Sequence, residues 1–329
     1  MKTLFIRASS LAFTLLAACE PPPPGAQAPL ETVETVEQGL LQRQGVNMQG
    51  VNMQGMEGTG LTVRGFRRSS LRLSNGVPAF ATLERGELVA HVGRVVFRGR
   101  QLSGASVEAE LSNGQRRRVF LARVWPELTA YSGTSTFRYE LREVTDRGMS
   151  SLCAADADGK PTAIAVAGRW DARGKHRDDP DLFTFSCAEG VIAKCYRWGY
   201  RPWERDGGLA AAHQACTRMA RADYCGDGRS FTQPGTLINV ADGLTPHVQT
   251  AAADAGMRFE AGWTVDGAAC FSHRRWLEVK DQIHDNRCTA QFETSAGCDS
   301  AEAAFASNPQ VLLVNESTPQ LLDGGTVGP

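Results

Sequence analysis

The side chains most capable of chemistry cluster in one short stretch, HQACTRMARADYCGDG, which runs from His213 to Gly228. This stretch contains one histidine, two cysteines, two aspartates and two arginines. Such residue types can supply a general base, a nucleophile or the soft ligands of a zinc ion. Whether they do so depends on the secondary structure that carries them and on whether the cysteines are reduced.

Spacing alone weighs against each of these chemical roles. His213 and Cys216 share one helical face and could present a soft metal, but zinc needs thiolates, and an oxidising compartment favours disulfides. Cys225 sits at a predicted helix C-terminus, where the helix dipole disfavours a thiolate. His213 and Asp223 would lie about 15 Å apart along an ideal helix, too far for a direct pair. We therefore assign no metal and no cofactor, and the catalytic residues are unknown.

The N-terminus has the features of an export signal. Lys2 and Arg7 precede an apolar run that is too short to cross a bilayer, which needs about 20 helical residues. The run ends in Leu16-Ala17-Ala18-Cys19, which resembles the lipobox of bacterial lipoproteins, where the cysteine is lipidated and becomes the first residue after cleavage. We expect residues 1–19 to be a lipoprotein signal peptide, with the lipid on Cys19. The alternative is an ordinary signal peptide with a coincidental cysteine.

Residues 20–60 are predicted to form a stalk and linker. Glu20 precedes Pro21 to Pro24, a run that favours a stiff, solvated polyproline conformation suited to leaving a membrane surface. Glutamate rather than aspartate at position 20 implies the outer membrane, by the usual sorting rule of such lipoproteins. The segment Gly45-Val46-Asn47-Met48-Gln49 recurs at 50–54, but two copies are too few to bury a solenoid core.

Composition and cysteine count agree with an exported globular protein. The chain is 42% hydrophobic and 22% charged with a net charge of -1, which leaves no electrostatic signature of nucleic-acid binding. Eight of the nine cysteines follow residue 150, and an even number in an oxidising compartment predicts four disulfides. These cysteines are Cys153, Cys187, Cys195, Cys216, Cys225, Cys270, Cys288 and Cys298.

The predicted fold class is α+β, with a small antiparallel β domain followed by a disulfide-rich α+β domain. Residues 61–150 alternate between polar and apolar types, and Asn113-Gly114 separates two such runs, which is a strong hairpin signal. We expect an antiparallel sheet or open barrel with one solvated face. Residues 151–305 form the predicted cysteine-rich domain, and residues 306–329 are predicted to be a flexible tail.

Two predicted helices of the cysteine-rich domain should pack as an antiparallel hairpin. Ser186 to Glu189 has capping-box spacing and begins the first helix, which ends near Gly199. Asp206 can cap the second helix, and Gly226 can close it in a left-handed conformation. On this prediction Asp223 and the helical arginines are mainly solvated.

Matching spacings across this hairpin predict two disulfide rungs, because cysteines within either helix are too far apart to pair. The expected rungs are Cys195 to Cys216 near the loop and Cys187 to Cys225 at the open end. By elimination the later cysteines would form Cys153 to Cys270 and Cys288 to Cys298.

The run Arg221 to Gly228, RADYCGDG, lies downstream of KCYRWGYRPW at 194–203, with His213-Gln214-Ala215-Cys216 between them. Together these segments resemble the ADYC-domain proteins, a family of secreted or lipid-anchored proteins found mainly in myxobacteria. The resemblance covers roughly the C-terminal half. It implies export and supplies no catalytic residues, because the family has no established activity.

Three aromatic residues, Trp198, Tyr200 and Trp203, have two interpretations. If exposed, they could stack on sugar faces or contact a protein partner; otherwise they form a satellite core pinned by Pro202. The acidic cluster Asp156-Ala157-Asp158-Gly159 opens like a calcium loop, but it lacks the third acidic position and the closing glutamate, so we interpret it as a turn.

These features favour a lipid-anchored, exported, non-enzymatic protein that acts as a binding or surface-structural module. Its expected partners are the membrane, through the N-terminal lipid, and a glycan or protein at the cell surface. The alternative is a hydrolase of envelope or extracellular polymers that uses His213 as its base. An open groove where His213 meets a carboxylate would favour the hydrolase, whereas burial of His213 against the helix pair would exclude it.

Overall fold

The structure, a computed structural model, contains a β-barrel and a second sheet on which a pair of helices packs. It describes residues 54–56, 63–128, 135–156, 159–233, 236–251, 256–276 and 298–319. The predicted signal peptide, Cys19, Cys288 and most of the predicted linker lie outside these residues. Within the described ranges, no helix is long and apolar enough to cross a membrane.

Strands predominate among the described elements. In chain order the strands are β1 (Val63–Arg67), β2 (Phe80–Glu84), β3 (Glu87–Val92), β4 (Val95–Arg98), β5 (Ser106–Leu111), β6 (Arg116–Leu128), β7 (Ser135–Thr145), β8 (Gly148–Ser151), β9 (Thr162–Ala167), β10 (Arg169–Trp170), β11 (His176–Arg177), β12 (Leu182–Cys187), β13 (Ile238–Asp242), β14 (Arg258–Thr264), β15 (Gly267–Phe271) and β16 (Leu313–Ser317). The α-helices are α1 (Val191–Arg197), α2 (Ala210–Arg221) and α3 (Ala301–Ser307). Short 3-10 helices cover Arg68–Ser70 and Gly99–Leu102.

The barrel is formed by antiparallel strands in the order β6-β5-β1-β12-β9-β7, and pairing of β6 with β7 closes it. Strand β8 adds to β7 as an edge. In β5, Val107 and Ala109 are buried while Glu108 and Glu110 are partly exposed, which is the alternation that the sequence predicts. The turn containing Asn113-Gly114 joins β5 to β6, so the predicted hairpin is confirmed.

The barrel interior is aromatic. Phe66 meets Phe185 edge to face with ring centroids 4.9 Å apart, and Tyr139 lies 5.3 Å from Phe185. Met56 is fully buried in the same core. Residues 54–56 therefore do not belong to a free linker, and the predicted linker 20–60 is too long at its C-terminal end.

The barrel crosses the domain boundary predicted between residues 150 and 151, because β9 and β12 are two of its strands. Nearly every residue of these strands is buried, since one face lines the barrel and the other packs beneath α1. In β9, for example, Ala165 belongs to the barrel core, whereas Ile164 contacts the cluster that includes Ile192. Strands buried on both faces show no alternation, which is why the sequence did not place them in the barrel.

The second sheet has the order β13-β16-β14-β15, and α2 packs on it. Its inner strand β16 lies within residues 306–329, which the sequence predicted to be a flexible tail. That prediction is wrong for Leu313–Ser317, because this segment pairs with β13 on one side and β14 on the other. A separate three-stranded sheet has the order β2-β3-β4.

The helix pair forms as predicted, but both helices have different ends. Ser186 lies in β12 rather than at a helix start, and the N-cap of α1 is Gly190. The Ser186 hydroxyl nevertheless accepts a hydrogen bond from the Ala193 amide at 3.2 Å, so it caps the helix from the strand end. The C-cap of α2 is Ala222, with a left-handed φ of 51°, rather than Gly226.

Three disulfides connect described residues: Cys153–Cys187, Cys195–Cys216 and Cys270–Cys298. Cys195–Cys216 joins α1 to α2, as the hairpin geometry predicts. These bonds indicate an oxidising setting, extracellular or periplasmic.

The other three predicted pairings are wrong. Cys187 ends strand β12 instead of beginning a helix, so it lies beside Cys153 and not opposite Cys225. Cys270 and Cys298 pair with each other, which excludes both pairings obtained by elimination. Cys225 is also disulfide-bonded.

Candidate functional site

The tetrapeptide Ala222 to Cys225 forms the junction between α2 and the second sheet. The left-handed conformation of Ala222 ends the helix and turns Asp223 into the interior. The Asp223 carboxylate accepts hydrogen bonds from Arg218 Nη1 at 2.5 Å and from the Gly228 amide at 3.0 Å. Arg218 and Arg221 are buried as well. The prediction that these charged groups are solvated is therefore wrong.

The reason is that the C-terminal turn of α2 is covered by neighbouring loops. Arg218 also donates to the carbonyls of Val265 and Arg173, and Arg221 donates to the carbonyl of Gly228. Burying a guanidinium costs free energy unless its donors are paired. These contacts pair donors of Arg218 and Nη2 of Arg221, whereas Arg221 Nε is buried without a partner among the described residues. The arginines therefore tie the helix end to two loops.

Tyr224 is the buried centre of the junction. Its hydroxyl donates to Glu260 Oε1 at 2.9 Å and accepts from the Arg275 amide at 3.0 Å. Its ring stacks on Trp263 with centroids 5.3 Å apart. Its carbonyl accepts from the Ala268 amide. Tyr224 therefore fastens the helix end to β14 and β15 through both its side chain and its backbone.

Gly226 lies where the backbone after α2 comes closest to the backbone of Asp266. A Cβ at this position would lie 1.7 Å from the Asp266 carbonyl oxygen, and the residue has a left-handed φ of +64°. Only glycine fits both conditions. With Cys225 disulfide-bonded and Asp223 ion-paired, the segment that looked most reactive in the sequence has a structural role.

A buried polar network beside Tyr224 was missed by the sequence analysis. Glu260 is fully buried and accepts from Arg275 Nε at 3.0 Å and Nη2 at 2.9 Å, and from Asn315 Nδ2 at 2.9 Å. Burial alone would raise the pKa of this carboxyl, but the Arg275 guanidinium holds it below its ordinary value. Arg275 also donates to the Met219 carbonyl at the end of α2.

The hydrogen bonds of Glu260 suit an internal ion pair rather than a proton-transfer site. Its two oxygens receive four hydrogen bonds, from Arg275, Asn315 and Tyr224. The sequence did contain a signal for this network. Glu260 stands in the otherwise apolar strand segment Phe259-Glu260-Ala261, where an isolated charge needs a buried partner.

His213 lies on α2 and packs against α1 and β10. It is 2% exposed, its Nε2 lies 3.1 Å from the Ile192 carbonyl oxygen, and the Trp170 ring lies 5.8 Å away. Burial lowers the pKa of His213 to about 4, so the imidazole is neutral at neutral pH and its Nε2–H donates to Ile192. Asp223, the carboxylate considered with it, is bonded to Arg218 instead. His213 therefore cannot serve as the base of an open hydrolytic site.

The aromatic trio is largely internal. Tyr200 is fully buried and donates to Asp242 Oδ2 at 3.1 Å, and Trp198 is buried in the helix–sheet core. Trp203 is partly buried, with its ring centroid 5.1 Å from that of Tyr196. The structure matches the satellite-core interpretation, and the three rings do not form an exposed stacking platform.

Among the described residues, the possible metal ligands do not converge. Asp156 accepts from Arg138 Nη1 at 3.0 Å and from the Lys160 amide at 2.9 Å, while Asp158 lies outside the described residues. Across the described ranges, no group of three or more His, Cys, Asp or Glu side chains could hold a metal ion.

The open groove lies instead on the barrel, where the sequence analysis found no chemistry. It has a volume of ≈ 560 Å³, within the range of small-molecule sites. We call it the arginine groove; it is lined by Glu108, Arg116, Arg117, Arg118, Phe120, Glu143 and Val144. The run Arg116-Arg117-Arg118 was its only sequence signal, and such a run is also typical of a solvated strand end.

The positive charges of the arginine groove are only partly balanced by nearby carboxylates. Arg117 lies 3.5 Å from Glu143, which is buried, and Arg116 lies 3.8 Å from Glu108. Three guanidinium groups face two carboxylates, so the lining has a net positive charge in a chain of net charge -1. Such a site can bind anions through charge-assisted hydrogen bonds.

Comparison with known proteins gives one family. The ADYC domain family matches residues 99–277, which include the barrel strands from β5 to β12, the helix pair and strands β13 to β15. No curated protein and no solved structure matches the chain. Because the matched segment covers more than half of the chain, this protein belongs to the ADYC-domain family.

Proposed function

We propose that this protein is a lipid-anchored, exported binding module that is tethered by Cys19 and binds an anionic partner in the arginine groove. The tether places the chain at a membrane, and Glu20 favours the outer membrane. The barrel and the disulfide-linked helix pair serve as the rigid support of the groove.

Export is supported by two independent features. The disulfides among the described residues need an oxidising compartment to form and persist. The apolar run that ends in Leu16-Ala17-Ala18-Cys19 has the length and composition of a lipoprotein signal. Together they favour a chain that leaves the cytoplasm and keeps its N-terminus at a lipid surface.

The observation that carries the binding proposal is a contrast in exposure between the charged side chains of two regions. Asp223 and Arg218, two charged side chains of the stretch from His213 to Gly228, are buried and paired with each other. The arginines of the groove are exposed and incompletely paired. Burial of His213 removes the base on which the hydrolase alternative depends. A non-enzymatic module is therefore the function that the geometry supports best.

Metabolic labelling with a clickable fatty acid tests the anchor. The wild-type chain, expressed in a bacterial host, should carry the label and fractionate with membranes, whereas Cys19→Ser should be unlabelled. Ser10→Ala, which leaves Leu16 to Cys19 intact, is the matched control and should label as the wild type does. An unlabelled wild-type chain would contradict the lipid anchor.

A further inference from the structure

The arginine groove adjoins an exposed apolar pair. Val144 on β7 and Met149 on β8 are cross-strand partners, and they are 64% and 48% exposed. Val144 also lines the groove beside Arg118, so the cations and the apolar pair form one continuous surface. We call this surface the amphipathic face; its members are Arg116, Arg117, Arg118, Val144 and Met149.

The arginines of the amphipathic face keep donors available for a ligand. The side chains of Arg116 and Arg117 are 55% and 44% exposed, and their carboxylate partners lie 3.8 Å and 3.5 Å away. A guanidinium has five N–H donors, so one long contact leaves most of them unused. Arg118 is exposed, and it forms no ion pair within the described residues.

We propose that the amphipathic face is a second membrane contact, which binds a lipid surface that carries anionic phosphate headgroups. The inference rests on the proposed binding function and names its partner. Guanidinium groups bind phosphate oxygens in a bidentate manner, and exposed valine and methionine side chains gain free energy by entering the headgroup–acyl boundary. A soluble anion or a nucleic acid would satisfy the arginines but would leave Val144 and Met149 in water.

The position of the anchor makes this second contact useful. Residues 20–53 separate Cys19 from the described chain, and an extended segment of that length spans at most about 120 Å. A lipid at Cys19 therefore keeps the barrel within that distance of the membrane, and a contact on the barrel itself determines which of its sides faces the lipid. Once the tether has raised the local concentration, even weak headgroup binding turns the amphipathic face towards the lipid.

Vesicle co-sedimentation tests the proposal with residues 20–329, which lack the predicted signal peptide and Cys19, so that neither the lipid nor the apolar N-terminal run contributes. This protein should sediment with vesicles of phosphatidylcholine and phosphatidylglycerol, but not with phosphatidylcholine alone, and high salt should release it. The double variant Arg116→Gln/Arg118→Gln should lower the apparent affinity at least about tenfold. Val144→Ser/Met149→Ser should weaken binding while leaving the arginines in place.

The matched control is Arg94→Gln/Val95→Ser, which changes an exposed arginine and a 57% exposed valine at the turn between β3 and β4. It should bind vesicles as the parent does, and circular dichroism should show all variants folded. Equal binding to both vesicle types, unchanged binding by either amphipathic-face variant, or full displacement by inorganic phosphate would overturn the proposal. Fatty-acid labelling is scored separately, so loss of the anchor and loss of the membrane contact are distinguishable.

Discussion

Because His213 is buried in its neutral form, the stability of the protein should depend on pH in a defined window. Its ordinary pKa is 6.5, and burial against α1 and Trp170 lowers the pKa to about 4 in the folded state. Between these values the unfolded chain binds a proton at this imidazole and the folded chain does not. The free energy of unfolding therefore rises with pH in this interval.

The size of the effect follows from the shift in pKa. The contribution of His213 is complete above about pH 6.5, is lost progressively as the pH falls to about 4, and changes no further below that. One pKa unit corresponds to about 1.4 kcal/mol, so the loss across the window is about 3 kcal/mol. A loss of this size is a large fraction of the total stability of a typical domain.

The substitution His213→Gln isolates this contribution. Glutamine keeps an N–H donor for the Ile192 carbonyl but cannot take up a proton in this range. Urea unfolding of both proteins, at a series of pH values from 7 to 4, gives the free energy of unfolding at each pH. The wild type should be the more stable protein at pH 7, and its advantage should shrink by about 3 kcal/mol by pH 4.

Comparing the two proteins removes most other titrations. Glu260 and Asp171 have lowered pKa values in the folded state, so their contributions are lost as the pH falls through the acidic range, equally in both proteins. If the curves of wild type and His213→Gln run parallel from pH 7 to pH 4, the reasoning is refuted.

Two further predictions concern the junction at the end of α2, and urea unfolding measures both. Glu260→Gln leaves the buried Arg275 without a charge partner and should lower the free energy of unfolding by about 3–5 kcal/mol; a loss below about 1 kcal/mol would contradict the ion pair. Gly226→Ala places a Cβ 1.7 Å from the Asp266 carbonyl oxygen and should cost at least about 2 kcal/mol more than Gly114→Ala, which shares the positive φ but meets nothing within 4 Å. Equal losses in the two alanine variants would mean that only backbone strain matters at Gly226.

Features set by local periodicity could be predicted from the sequence. The alternation of Val107 and Ala109 with Glu108 and Glu110 identified β5, and Asn113-Gly114 identified the turn that follows it. The Cys195–Cys216 bond also follows from local geometry, because it needs only two antiparallel helices with cysteines near their loop.

Features that depend on tertiary contacts could not be predicted in this way. Strand β12 is buried on both faces and lacks alternation, so Ser186 in the strand and Glu189 just beyond it were interpreted as a helix start. That error placed Cys187 in a helix instead of a strand, and the predicted disulfide between Cys187 and Cys225 was therefore wrong. The groove was missed for a related reason, because barrel closure brings Arg118 beside Val144 and Glu143, which are distant in the sequence.

Asp223 and Tyr224, which lie in the segment that resembles the ADYC family, are internal, and this limits what that segment can say about function. Tyr224 and Asp223 direct their polar atoms at Glu260 and Arg218, inside the junction between helix and sheet. These side chains belong to a buried polar network, in which each polar group is costly to bury unless its hydrogen-bond partners are present. The proposed ligand contact is on the outer face of the barrel, so substitutions at exposed positions such as Arg118 and Met149 should change binding while leaving this network intact.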